Sequence, residues 1–369
     1  MKIKRRDFLK ISCSTCGYLF ASNLTVFAED ITEAKEAIYY EHTSGLNVQC
    51  RHCPHQCVIA NKKRGFCRIK ENQNGKLYNL VYGQPCAVHV DPIEKKPLFH
   101  VMPGSKSFSI ATVGCNLRCK FCQNWQISQA TPEQIKSVHM PPDEVLRRAK
   151  QTGSLSIAYT YTEPTIFYEY TLDIAKIACA QGVKNVMHSN GFLNPAPLRN
   201  LCKYMTAINV DLKGFDQNYY QDICAGNLKN VLDSLVIIKR EMGVWLELTN
   251  LIIPTLNDTP DEIRKMCQWI KTNLGDEVPI HFSRFHPTYK LATLPPTPVS
   301  TLETAKDIAG EAGLKYVYLG NLPGHSAENS YCPNCHKVVI RRSGYTILEN
   351  DVLNGKCKYC NYKIAGVWT

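Results

Sequence analysis

Gly114-Cys115-Asn116-Leu117-Arg118-Cys119-Lys120-Phe121-Cys122-Gln123-Asn124-Trp125 is the stretch from which the rest of the chain is read. Its cysteines are spaced Cys-x3-Cys-x2-Cys, with an aromatic residue before the third. Three thiolates are one short of the four that saturate a [4Fe-4S] cluster, so a cluster held here keeps one iron open for a ligand. A zinc knuckle completed by a distant fourth ligand is the competing explanation of the spacing. Cys115, Cys119 and Cys122 are therefore the first candidate metal ligands.

Outward from this motif the chain has a rhythm. Short apolar, β-branched runs at 108–113, 155–161, 185–189, 207–212, 244–253, 279–285 and 316–319 alternate with helical patterns. Thr259-Pro260-Asp261-Glu262 reads as a capping box with proline at the first helical position. Ser300 with Glu303 repeats the box, and Asn194 before Pro195 is a further cap. Alternation of this kind predicts an α/β fold with a parallel sheet and helical crossovers. The number of units suits a partial (β/α)6-type TIM-like barrel over residues 104–325. The cysteine motif then falls on the loop after the first barrel strand, where barrels gather their chemistry. Polar groups fall at the ends of the later strands: Thr162 and Glu163, Ser189, Asp211 and Lys213, Asn250, and His286.

Composition sets the outer limits. The chain has 369 residues, 44% hydrophobic and 20% charged, enough for one large domain with small satellites. No stretch of about 18 uninterrupted apolar residues predicts a stable membrane span. The formal charge of +11 comes from scattered lysines and arginines, without the basic and aromatic stripe of a nucleic-acid surface. Of the 18 cysteines, eleven fall in three clusters with metal-ligand spacing. Cys179, Cys202, Cys224 and Cys267 lie in helix-like stretches and read as small buried residues.

Two of the clusters flank the barrel. Residues 36–103 read as a cysteine-rich module with a connecting arm, in which Cys50, Cys53, Cys57 and Cys67 offer four thiolates to zinc or to a second cluster. Zinc is preferred there, since a short polar module gives a cluster little shielding. A disulfide pair is the third choice. In residues 331–369, the pairs Cys332/Cys335 and Cys357/Cys360 read as a zinc ribbon.

The central motif resembles the signature of the radical S-adenosylmethionine (SAM) superfamily. The strand-end segments resemble those of pyruvate formate-lyase activating enzymes, whose second-strand motif is usually Gly-Gly-Glu-Pro; here it is Tyr161-Thr162-Glu163-Pro164. Asn250 stands where the activases tend to have arginine. A closer resemblance is to the radical SAM member of the AmmeMemoRadiSam system. It is carried by Cys53-Pro54-His55-Gln56-Cys57, Gly65-Phe66-Cys67, the segment 91–98, Cys122-Gln123-Asn124-Trp125, and the segments 159–165, 209–214, 281–287 and 320–325. The resemblance implies a [4Fe-4S] cluster on Cys115, Cys119 and Cys122. It also implies SAM bound by Thr162, Glu163, Ser189, Asp211, Lys213, Asn250 and His286, and reductive cleavage of SAM to a 5′-deoxyadenosyl radical. The implied partners are a low-potential electron donor, a protein or small-molecule substrate, and Memo-like and AMMECR-type proteins.

An iron–sulfur electron carrier, or a zinc-stabilised binding protein on an inactive barrel, are the alternatives. Neither accounts for an open iron beside a rim of polar residues. Residues 1–28 resemble a twin-arginine signal, with Arg5-Arg6 and a weakly apolar run, or else form a disordered tail. SAM chemistry favours the cytoplasm, and the twin-arginine-like start would favour export.

Overall fold

The computed structural model describes residues 34–369; the expectation for residues 1–28 lies outside them. Its centre is an eight-stranded sheet: β1 (Ala87–Pro92), β2 (Lys106–Ala111), β3 (Ser156–Tyr159), β4 (Lys184–Ser189), β5 (Ala207–Asp211), β6 (Trp245–Ile252), β7 (Ile280–Arg284) and β8 (Val317–Gly320). The strands lie in chain order. β1 pairs antiparallel with β2, and every later pair is parallel. The seven apolar runs read from the sequence are β2 to β8, each shifted by no more than two residues at either end. β1 belongs to the connecting arm, so the central sheet begins earlier than residue 104.

The crossovers are helical: α1 (Pro142–Gln151), α2 (Tyr168–Ala180), α3 (Pro195–Cys202), α4 (Gln217–Cys224), α5 (Leu228–Val236), α6 (Pro260–Asn273) and α7 (Val299–Glu311). Right-handed crossovers advancing in one direction put these helices on one face of the sheet. Strand alternation sorts the side chains accordingly. Ile157, Tyr159, Met187 and Ile208 join the large core under the helices, whereas Ala158, Val186 and Ala207 face the other way. There they meet Ile93, Leu98, Val101 and Met102 of the arm. The arm therefore fills the inner face of an open sheet. Glu247 of β6 holds it, accepting from the backbone N–H of Phe99 at 3.0 Å and of His100 at 2.8 Å, and Asn209 donates to the Pro97 carbonyl at 2.8 Å.

The helix starts obey sequence rules in part. Thr259 caps α6, accepting from Glu262 N at 3.4 Å behind Pro260, but the Glu262 carboxylate turns to Phe215 N at 2.6 Å and leaves the box half made. α7 begins at Val299 with Pro298 in the cap position, so Ser300 lies inside the first turn and caps nothing. Asn194 does precede α3, yet its amide reaches back to the carbonyls of Arg51 at 2.7 Å and Cys53 at 3.2 Å. A tertiary contact has taken the side chain that a local rule assigns to the helix.

Two small units close the fold. Residues 35–79 form two three-stranded antiparallel sheets around Ala37, Val48, Ile59 and Leu77. They are pinned to α2 by Glu169, which accepts from Ile38 N, Lys70 Nζ and Asn79 Nδ2 at 3.1, 2.6 and 2.8 Å. At the other end, residues 330–368 pack Cys332, Val339, Cys357 and Ile364 against Phe99, Tyr316 and Tyr318. No helix among the described residues is long and apolar enough to cross a membrane.

Candidate functional site

Because β2 to β8 are parallel, their carboxyl ends share one edge of the sheet. A cavity of about 430 Å³ opens there. Its walls carry Cys115, Cys119 and Cys122 after β2, Thr160 to Glu163 after β3, and His188 to Asn190 at the end of β4. Asp211 ends β5 and Lys213 follows it, Thr249 and Leu251 belong to β6, Ser283 to β7, and Asn321 follows β8.

The cysteine loop is clamped from several sides. Gly114 N donates to Ile127 O at 2.9 Å, Arg118 N to Cys224 O at 2.8 Å and Lys120 N to Ile223 O at 3.0 Å. Gly114 has φ +97°, and a β-carbon there would stand 2.9 Å from the Cys67 carbonyl oxygen, so glycine is required on both counts. Burial pushes the thiols of Cys115 and Cys122 up, and a bound metal is what would hold them as thiolates.

Glu163 is buried at the cavity wall. Its carboxylate accepts from Ser189 Oγ at 2.8 Å, Asn190 N at 2.8 Å and Thr165 N at 3.0 Å. Burial pushes this carboxyl up further than its three donors pull it down. On the far side Asp211 stands between two bases, with Oδ1 2.9 Å from His188 Nε2 and Oδ2 2.9 Å from Lys213 Nζ. Burial raises the Asp211 carboxyl, but Lys213 and His188 outweigh it and hold it well below the usual carboxylate range. Burial likewise lowers Lys213, and Asp211 reverses this, so the ammonium keeps its proton well past its ordinary range. The cavity thus offers three thiols, a buried carboxyl with donors around it, and a compact charge cluster.

Of the residues expected at the site, Thr162, Glu163, Ser189, Asp211 and Lys213 line this cavity with the three cysteines. Asn250 and His286 do not. Thr249 and Leu251 face the cavity, so period-two alternation turns Asn250 to the opposite side, where its amide donates to Leu212 O at 2.7 Å. His286 lies beyond the end of β7 and is exposed. Asn190 and Thr249, neighbours of the expected Ser189 and Asn250 at the same strand ends, line the cavity too, whereas His188, Lys95 and Tyr345 line it without having been expected there. A polar residue in an apolar strand was the available signal for His188. Nothing local marks Lys95 or Tyr345, which arrive from the arm and from the C-terminal unit.

Tyr161 explains a departure from the activase pattern. It adopts φ +64°, a left-handed conformation that favours glycine, the residue usual at this place in the motif it resembles. Asn124 Nδ2 donates to its carbonyl at 2.8 Å, its hydroxyl donates to Asp91, and the Lys96 ammonium stands 4.5 Å from its ring centre. These contacts hold a side chain where the backbone alone prefers none.

Residues 109–270 match the family model described as the radical SAM superfamily. An uncharacterized protein of Methanocaldococcus jannaschii is 45% identical over 332 residues, spanning 89% of this chain and 98% of that protein. The pyruvate formate-lyase-activating enzyme of Clostridium pasteurianum is 25% identical over 43% of this chain and 66% of its own length. A domain of the pyruvate formate-lyase-activating enzyme from Bacteroides vulgatus aligns with 45% of this chain and 99% of its own, at 16% identity and a TM-score of 0.40. The family uses a [4Fe-4S] cluster with SAM, and this chain belongs to the radical SAM superfamily.

Proposed function

We propose that the protein is a radical SAM enzyme of the activase-like branch. It would bind a [4Fe-4S] cluster through Cys115, Cys119 and Cys122 and cleave SAM reductively in the cavity above. The observation that carries this is the meeting of three thiols, Glu163 and the Asp211–Lys213 pair on the walls of one cavity.

The residues present fit both groups. Three thiols from one clamped loop leave one corner of a cubane without a protein ligand. SAM is a zwitterion bearing a sulfonium, a ribose and an adenine. Glu163, with Ser189 and Thr162 beside it, suits the SAM ammonium. Lys213 suits its carboxylate, and Asp211 with His188 suits the ribose hydroxyls. The buried floor under Phe121 and Leu117 keeps water from the cluster side. When bound, the cluster supplies the electron that splits SAM into methionine and a 5′-deoxyadenosyl radical, which takes a hydrogen atom from the substrate.

The strand order and the cavity at the strand ends support a partial barrel. The C-terminal cysteines support a zinc ribbon: Sγ–Sγ distances of 3.5 Å for Cys332–Cys360 and 3.7 Å for Cys335–Cys357 compare with the spacing of about 3.8 Å that a tetrahedron of 2.3 Å zinc–sulfur bonds demands. The flanking modules favour the AmmeMemoRadiSam subgroup, with Memo-like and AMMECR-type proteins as partners and a cytoplasmic low-potential donor. The hydrogen donor is a protein or a small molecule.

The test is conversion of SAM to 5′-deoxyadenosine by the anaerobic, dithionite-reduced protein. The wild type is expected to form it, and Cys115→Ala/Cys119→Ala/Cys122→Ala to form none. Equal yields from both, or none from cluster-loaded wild type, would sink the assignment.

A further inference from the structure

Three cysteine groups in one chain allow an internal comparison. Among the described residues, the C-terminal four are the one group of three or more candidate ligands whose ligand atoms all lie within 4.8 Å of one another. That closeness is what a single ion imposes. Cys115, Cys119 and Cys122 are more widely spread, as thiolates bonded to different irons of a cubane must be. Cys50, Cys53, Cys57 and Cys67 behave in the same way. All four line one common cavity.

From this spacing we infer that Cys50, Cys53, Cys57 and Cys67 hold a second [4Fe-4S] cluster, packed against the loop that carries the first. The sequence favoured zinc here because a polar module would shield a cluster poorly. The fold removes that objection by bringing Ile59, Phe66 and Ile166 to the cavity wall. Phe66 N also points at Cys57 Sγ at 3.4 Å, a hydrogen bond that suits a thiolate ligand. Lys70 lines the same cavity and places an ammonium near the four sulfurs.

The two sites share a wall. Asn116 lines this cavity, while its neighbours Cys115 and Leu117 line the larger one. A β-carbon on Gly114 would stand 2.9 Å from the Cys67 carbonyl oxygen, and His55 Nε2 lies 2.8 Å from the Asn116 carbonyl oxygen. Four thiolates saturate four irons, so this cluster has no open iron for a substrate and its chemistry is electron transfer. A low-potential donor loses one electron to it, and it passes that electron to the neighbouring cluster, returning to its oxidised state. The relay role rests on the radical SAM function proposed above; the site itself does not.

Iron, acid-labile sulfide and zinc are to be measured on the anaerobically reconstituted full chain. The wild type should hold about eight iron and eight sulfide with about one zinc, and Cys115→Ala/Cys119→Ala/Cys122→Ala should retain about half of the iron and sulfide. The reduced triple variant should show an electron paramagnetic resonance signal that SAM does not alter. Loss of all iron from the triple variant with a second zinc in its place overturns the proposal. As a complementary variant, Cys53→Ala/Cys57→Ala should keep only the SAM-responsive cluster; undiminished iron in it would overturn the ligand assignment. The fully reduced wild type should show signals broadened by magnetic coupling between two neighbouring clusters. A spectrum equal to the sum of the two variants' spectra overturns the adjacency. None of these readouts depends on SAM cleavage, so failure of that activity and failure of the second site are told apart.

Discussion

Glu169 Oε2 accepts a 2.6 Å hydrogen bond from Lys70 Nζ, and both side chains are sealed from solvent. The same carboxylate has its other oxygen 3.2 Å from His52 Nε2. Burial pushes the Glu169 carboxyl up, but Lys70 and His52 outweigh it, so the group stays ionised far below the usual range. One residue of α2 thereby joins the cysteine-rich unit to the central domain.

Glu169→Ala should therefore destabilise the protein strongly. It strands Lys70 in a buried site, and breaking such a pair costs about 3–5 kcal/mol. Urea denaturation should show the midpoint falling by that equivalent, and the N-terminal unit should become sensitive to proteolysis first. A loss below about 1 kcal/mol would mean that water reaches Lys70 in solution.

Asp211→Asn should weaken SAM binding while leaving iron content unchanged. The substitution removes a charged acceptor, and hydrogen bonds to charged groups contribute about 1.5–3 kcal/mol, or roughly 10- to 100-fold in Kd. Equilibrium binding of SAM to the oxidised, cluster-loaded variant measures this directly. An unchanged Kd would remove Asp211 from the contact set.

Chelation should release about one zinc from the C-terminal unit, because four thiols at single-ion spacing form one closed site. Mercurial titration with a colorimetric zinc dye reads the stoichiometry. Cys357→Ala should abolish this zinc and lower the melting temperature, since the unit packs on Phe99 of the arm and Tyr316 beside β8.

His100 should make stability fall with acid. Burial lowers its pKa to about 4 despite the nearby Glu247 carboxylate, from 6.5 in an exposed chain. Between these values the unfolded chain binds a proton that the folded chain refuses. Stability is thus fully present above pH 6.5 and is lost as pH falls towards 4, by about 3 kcal/mol in all. His100→Gln should be less stable at neutral pH, losing bonds to Ala365 O and Tyr318 Oη, yet should show a flatter slope in this window. Equal slopes in the two proteins would place the acid sensitivity elsewhere.

Much of this was legible along the chain. Apolar runs of strand length separated by helical periods marked β2 to β8, because a sheet buried on both faces needs continuous apolar strands. Cys115, Cys119 and Cys122 were legible because one loop supplies all three. Glu163 and Asp211 could be placed on the cavity wall because Asp211 ends a recognisable strand and Glu163 closely follows one. Asn250 and His286 were misplaced because strand ends alone do not say which residue faces inward. Glu169 was invisible, since its partners Ile38, His52, Lys70 and Asn79 lie about 90 residues or more away.

The sequence by itself determined the chemistry available: which thiols occur together, which strands are buried, and which polar groups follow them. These are local properties, fixed by spacing and side-chain type. Only the tertiary structure decided how far apart the thiols of each group stand, and that distance separates a one-ion site from a cubane. It also decided that the arm fills the inner face of the sheet and that Cys67 abuts Gly114. Spacing in space is set by packing between segments distant in the chain, and no local rule encodes it.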